Sequence, residues 1–166
     1  MTPKQIAEFA FGPIVTAVLG FISIPVIAWF YSVEDIGRLS MLNVVTSFCI
    51  LLFSLGLDQA YVREYHEVDH KPVLLKTAFV PGSILLIFTM ALCLLEPGAI
   101  SKLLFAVDST LIDILVSLCV LSAFVSRFLS LILRMQERGL AFSMSQILPK
   151  MLFLAIIGFY VLFSLG

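Results

Sequence analysis

The sequence predicts an all-α integral membrane protein with five transmembrane helices, and three observations carry that expectation. Of its 166 residues 61% are apolar, and the mean hydropathy is +1.12. Only 13% are charged, about half the share of an average soluble chain. Five apolar runs, at about 6–30, 39–57, 77–95, 111–133 and 140–165, are each long enough for a hydrocarbon core about 30 Å thick. They leave only short connections, so residues 1–166 read as a single transmembrane helical region. An ordinary water-soluble enzyme and an intrinsically disordered chain are both excluded. Ten Lys+Arg against eleven Asp+Glu give a net charge of -1, without the basic surplus that nucleic acid requires.

The first run, Ile6 to Phe30, has Glu8 as its only charge. It exceeds the apolar core of a secretory signal and ends in Ala28-Trp29-Phe30-Tyr31 rather than a small-x-small cleavage site, so it is expected to stay as a mature helix. Gly12, Thr16 and Gly20 recur every four residues, a ridge suited to close helix packing. The second run, Leu39 to Leu57, carries Asn43, Ser47 and Ser54 near one face, with Thr46 beside them. Such a stripe either lines a polar cavity or bonds to backbone and neighbouring helices. The third, Thr77 to Leu95, is uncharged. Pro25, Pro81 and Pro149 fall inside the first, third and fifth runs, as static kinks or as bends that let a bundle rock between inward-open and outward-open forms.

The fourth run, Leu111 to Leu133, contains Asp113 and Arg127. Asp113, Arg127 and Arg134 differ by multiples of seven and share a helix face to within about 40°, with acid toward one end and base toward the other. In the fifth run, Leu140 to Leu165, Ser143, Gln146 and Lys150 follow the same spacing logic. A short connection around Gly139 makes these two helices antiparallel neighbours, with their basic groups expected to converge. Arg127 lies six residues, roughly 9 Å, inside the end of its run. Three readings stand for Arg127 and Lys150: snorkelling to the interface, a salt bridge to a carboxylate, or lining of an anionic substrate site.

Positive loops stay cytoplasmic. Assigning alternate sides puts Lys4, Arg63, Lys71, Lys76, Arg134 and Arg138 on one side, with only Arg38 and Lys102 on the other. The N-terminus is therefore expected in the cytoplasm and Gly166 on the outer side. Cys49, Cys93 and Cys119 all lie inside runs, where free Cys acts as a small hydrophobe, and no disulfide is expected. His66 and His70 are loop residues, and no metal, cofactor or catalytic constellation is expected.

Three stretches resemble one known family of membrane proteins. Pro25-Val26-Ile27-Ala28-Trp29-Phe30-Tyr31-Ser32-Val33-Glu34-Asp35-Ile36-Gly37 is similar to the first outer loop of that family. Ser54-Leu55-Gly56-Leu57-Asp58-Gln59-Ala60-Tyr61-Val62-Arg63-Glu64-Tyr65 is similar to its signature at the inner end of the second helix. Leu133-Arg134-Met135-Gln136-Glu137-Arg138-Gly139-Leu140-Ala141-Phe142-Ser143 resembles its inner turn between the fourth and fifth helices.

The family is that of the Wzx-type polysaccharide flippases, within the multidrug/oligosaccharidyl-lipid/polysaccharide exporter superfamily, and the resemblance implies most of the N-terminal lobe of a two-lobed MATE-like transporter with a cationic cavity. It implies a flippase that moves an undecaprenyl-diphosphate-linked oligosaccharide across the bacterial inner membrane for O-antigen, lipopolysaccharide, capsule or exopolysaccharide synthesis. The partners expected are that lipid-linked oligosaccharide, the bilayer, and polysaccharide polymerase or ligase machinery. Arg127, Arg134 and Lys150, with Arg63 at the rim, are the candidate contacts to the diphosphate, since Arg forks and Lys point charges suit phosphate oxygens. Asn43, Ser47, Asp113 and Gln146 are the cavity-lining candidates. Five spans fall short of one lobe of that family, so an incomplete N-terminal lobe is expected. A drug/cation antiporter of the same superfamily and a non-transporting remnant are the alternatives.

Overall fold

A computed structural model describes residues 3–164. The side chain of Lys4, the end of the fifth predicted span at Leu165, and Gly166 lie outside the described residues. Seven helices follow in order: α1 (Pro3–Phe30), α2 (Val33–Ser54), α3 (Leu57–Glu64), α4 (Lys71–Leu94), α5 (Ala99–Phe105), α6 (Thr110–Met135) and α7 (Gly139–Ser164), with no strand among the described residues. Five of them, α1, α2, α4, α6 and α7, are long and apolar enough to cross a membrane. The predicted fold class and span number are therefore what the chain adopts. The chain divides into two compact units, one made of the residues up to Ile36 with those from Ile132, the other of Gly37–Leu131.

In the first unit α1 packs along α7, and the two run parallel. Phe9 meets Phe142 at one end, with ring centroids 5.6 Å apart, and Tyr31 stacks on Tyr160 at the other at 6.2 Å. The ridge of small residues in α1 is what lets the helices approach. A Cβ on Gly12 would lie 2.7 Å from the Ser143 Cα, and one on Gly20 would lie 3.8 Å from Cε of Lys150. Gly139 serves the same approach from α7, where a Cβ would come within 2.9 Å of the Glu8 Cβ. The buried Ser143 hydroxyl accepts from the Gly12 N–H at 3.0 Å and donates to the Glu8 carbonyl. Those two backbone groups are an i, i−4 pair, so a side chain of one helix enters the hydrogen-bond ladder of the other.

Ser143→Ala is expected to cost about 1 kcal/mol, because the buried Gly12 N–H and the half-buried Glu8 carbonyl lose a shared partner. Thermal unfolding of the detergent-solubilised chain checks this. Ser143→Val should cost more, since its second methyl has no room beside Gly12.

The link between the first two spans is much shorter than the sequence suggested. Only Tyr31 and Ser32 lie between α1 and α2, so the helix begins six residues ahead of the apolar run at Leu39. The reason is a reciprocal cap. The Ser32 hydroxyl accepts from the Asp35 N–H at 3.2 Å and donates to the Asp35 carboxylate at 2.7 Å. Glu34 and Asp35 then fill the first turn, where the helix dipole favours acids. Trp29, 85% exposed, lies near this end with the Tyr31–Tyr160 pair, an arrangement suited to a membrane interface.

In the second unit the core lies between α4 and α6, where Phe79, Phe124 and Phe128 form a triad with centroids 5.2 to 5.7 Å apart. Leu86, Val116 and Val120 are also buried. The end of α2 comes against α4 at Gly82, where an added Cβ would collide with the Phe53 carbonyl oxygen and lie 2.9 Å from Cζ of Phe124. Directly after this contact α2 stops, because Leu55 and Gly56 take left-handed conformations with φ of 52° and 72°. The predicted second span ran on to Leu57, which instead starts α3.

Two short helices were missed because their periodicity is too brief to register. One is α3, which packs against α4. The other is α5, which follows Gly98 in a left-handed conformation with φ of 84°.

Each spanning proline stays inside a continuous helix. Pro13, which the sequence reading passed over, joins Pro25 in α1, Pro81 lies in α4 and Pro149 in α7. All four occupy exposed positions, and a membrane helix tolerates such a proline where neighbours or water satisfy the freed carbonyl.

Candidate functional site

The four cations singled out in the sequence fall in two places. Arg127 and Arg63 belong to the unit of Gly37–Leu131, and Arg134 and Lys150 to the other.

Within the former, α3 gathers both. Phe124 of α6 and Phe53 of α2 meet at the level of Gly82, and Arg127 lies one turn further along α6, about 4.5 Å. At that level α2 has already ended. Helix α3 takes its place and brings Asp58, in its first turn, to Arg127. The Arg127 Nη2 donates to Asp58 Oδ2 at 3.0 Å. The carboxylate is 9% exposed and the Arg127 side chain 55%. The second carboxylate oxygen, Oδ1, accepts from the Gln59 N–H at 3.0 Å. Of the three readings open for Arg127, the ion pair is what the chain forms. Asp58 was passed over as a partner because its position beyond the second span gives no hint that the chain turns back toward α6.

The rest of α3 is anchored by aromatic contacts. Tyr61 and Tyr65 are buried edge to face at 5.6 Å. Lys71 Nζ, from the start of α4, sits 4.5 Å above the Tyr65 ring, a favourable cation–π arrangement. Burial, with Tyr65 as a lesser cause, pushes the Tyr61 phenol above its usual range, so it stays neutral. Arg63, on the same helix, is exposed and its nearest acid is the adjacent Glu64 at 3.6 Å. That pair is worth little in the open, which leaves Arg63 available as a rim contact.

In the other unit, Arg134 occupies the last turn of α6 and is exposed. A cation there suits the negative end of the helix dipole. Lys150 is half-buried near the middle of α7, its Nζ 5.9 Å from the Phe153 ring centre and its stem beside Gly20. The glycine ridge thus provides the groove in which the lysine stem lies. Gln146, one turn earlier, is half-buried.

The cavity-lining candidates separate in the same way. Asn43 and Ser47 are exposed on α2, and the Ser47 hydroxyl donates to the Asn43 carbonyl at 2.8 Å. Ser54 does the same toward Leu51 at 3.1 Å. These hydroxyls serve their own helix. Thr46 on the same helix has a buried hydroxyl with no partner among the described residues.

Asp113 is fully buried. Its Oδ2 accepts from the Gly98 N–H at 2.6 Å and its Oδ1 from the Ser101 N–H at 2.7 Å. The Ser101 hydroxyl in turn bonds Ser109 from both sides, accepting from its N–H at 3.2 Å and donating to its carbonyl at 3.1 Å. Asp113 thereby holds the turn that leads into α5.

A family model described as polysaccharide biosynthesis protein matches residues 4–166. Neither a curated protein nor a solved structure matches the chain.

Proposed function

Since the chain belongs to the polysaccharide biosynthesis protein family, we propose that it works as a flippase, carrying an undecaprenyl-diphosphate-linked oligosaccharide from the inner to the outer leaflet of the bacterial inner membrane. The family match over residues 4–166 is the observation that carries this reading. The cations add to it. The Lys and Arg count of the loops assigns Arg63 and Arg134 to the cytoplasmic side, where the diphosphate is picked up. A diphosphate concentrates negative charge, which guanidinium groups bind through charge-assisted forks and Lys150 as a point charge. No bond is made or broken in this task. The oligosaccharide head crosses while the lipid tail stays in the bilayer, and polymerase or ligase machinery takes it up on the other side.

A drug/cation antiporter needs an ionisable acid at depth for proton or sodium coupling. Asp113 is bound to α5, and Glu8 lies beside Gly139 near the start of α1, which favours the flippase.

The test is export in cells deprived of their resident flippase. Expression should restore surface polysaccharide, and failure by this chain and by any longer form containing it would overturn the reading. Arg134→Ala together with Lys150→Ala should lower export at least tenfold, the loss expected from two charge-assisted contacts, without lowering membrane abundance. Unchanged export would leave snorkelling as the role of both.

A further inference from the structure

Asp58 has no part in the function just proposed, yet it is the group that Arg127 touches. The contact is lopsided. A planar guanidinium carries five N–H donors in a rigid fork, and among the described residues only Nη2 is engaged, by Asp58 Oδ2 at 3.0 Å. The carboxylate is enclosed at 9% exposure, whereas the arginine side chain is 55% exposed. Asp58 is itself fixed, because Oδ1 accepts from the Gln59 N–H and its helix is wedged against α4 with Tyr61 buried. A fixed acceptor holds one edge of the guanidinium, and the opposite edge is left presented.

An arginine free to swing would have to be ordered each time an anion arrives, and ordering it beforehand removes that cost from binding. We propose that Asp58 is a positioning residue. It holds the Arg127 guanidinium on the inner side of α6, where α2 has ended, so that the free edge meets the phosphoanhydride oxygens of a lipid-linked diphosphate. This rests on the flippase reading and adds to it a residue that never touches the substrate. The alternative for the same pair is competition, in which the carboxylate occupies an arginine that the diphosphate must win away. The two differ in sign.

The experiment measures binding of undecaprenyl diphosphate to the full chain in nanodiscs. Asp58→Ala should weaken binding by up to about tenfold, the cost of ordering one long side chain at the moment of binding. Asp58→Asn, which keeps a carbonyl acceptor for Nη2, should recover most of that loss. In an Arg127→Ala background, Asp58→Ala should change nothing further, because a residue that acts only through another has no effect in its absence. Unchanged or tighter binding by Asp58→Ala, or an undiminished loss in the Arg127→Ala background, would overturn the proposal while leaving the flippase reading intact. Should Asp58→Ala fail to fold, Asp58→Glu decides the matter, since it displaces the guanidinium by a methylene and must also weaken binding; wild-type affinity there would overturn the proposal. A wild-type chain that binds no undecaprenyl diphosphate would sink the substrate reading itself, and the role of Asp58 with it.

Discussion

Asp113→Ala is expected to destabilise the chain by about 3 kcal/mol, since two buried N–H groups lose a charged acceptor and each orphaned group costs about 1–3 kcal/mol. The N–H groups are those of Gly98 and Ser101, now held at 2.6 and 2.7 Å. The Ser101 hydroxyl cannot take over, because it is already shared between Gly98 and Ser109. The exposed ion pair of Lys102 with Asp108, at 2.9 Å, is too solvated to compensate. The segment from Gly98 to Ser109 should therefore loosen before the rest of the molecule does. Limited proteolysis from the side bearing α5 should cut there in Asp113→Ala and spare the wild type, and thermal unfolding should start earlier. Asp113→Asn should fall between the two, as its amide keeps one acceptor and turns a second donor toward a donor. A variant as stable and as protease-resistant as the wild type would show that the carboxylate is not what holds α5.

Gly82→Val is expected to have the larger effect on the amount of folded protein. The position has no spare volume: the first added carbon already meets the Phe53 carbonyl oxygen and the Phe124 ring. Backbone cannot move aside as a flexible side chain does, so α2 would have to separate from α4 or the Phe79–Phe124–Phe128 triad would have to repack. Over-packing of this kind costs about 1–3 kcal/mol and sometimes more, and the collision here is with main chain. Membrane abundance should fall severalfold, and thermal stability in detergent should fall with it. Gly37→Ala provides the contrast, because a Cβ there meets nothing within 4 Å and replaces a poor helix former by the best one. It should be neutral or slightly stabilising. Equal loss in both variants would mean that the membrane abundance reports insertion rather than packing.

The long elements were legible because lipid imposes a simple rule on composition. Twenty apolar residues without charge leave few alternatives to a spanning helix, and the five runs were located with errors only at their ends. Those errors have a common cause. Charges such as Glu34, Asp35 and Arg38 read as loop, but α2 begins at Val33 under the cap formed by Ser32 and Asp35, a signature present in the sequence as Ser-x-x-Asp and outweighed by the polarity of the stretch. The Gly12, Thr16 and Gly20 ridge was also legible, and its partner, α7, was not, because a ridge states that something comes close without stating what.

The polar sites were the least legible. Seven-residue spacing placed Asp113 and Arg127 on one face correctly, yet each bonds to a different short helix: Asp113 to the start of α5 and Arg127 to Asp58 of α3. Neither helix is visible in hydropathy. Whether a membrane-embedded charge is free or satisfied depends on such connecting segments, and their lengths are too small for periodicity to reveal.

The pairing of α1 with α7 has a consequence for synthesis. The Gly12–Ser143 bond joins residues 131 positions apart, and at a translation rate of about 5–20 residues per second the first helix waits roughly 7 to 26 seconds for its partner. Throughout that interval its glycine face must lie against lipid or against whatever helper occupies it. An early helix with an open groove is a natural substrate for an insertion chaperone, and the arrival of α7 is what releases it.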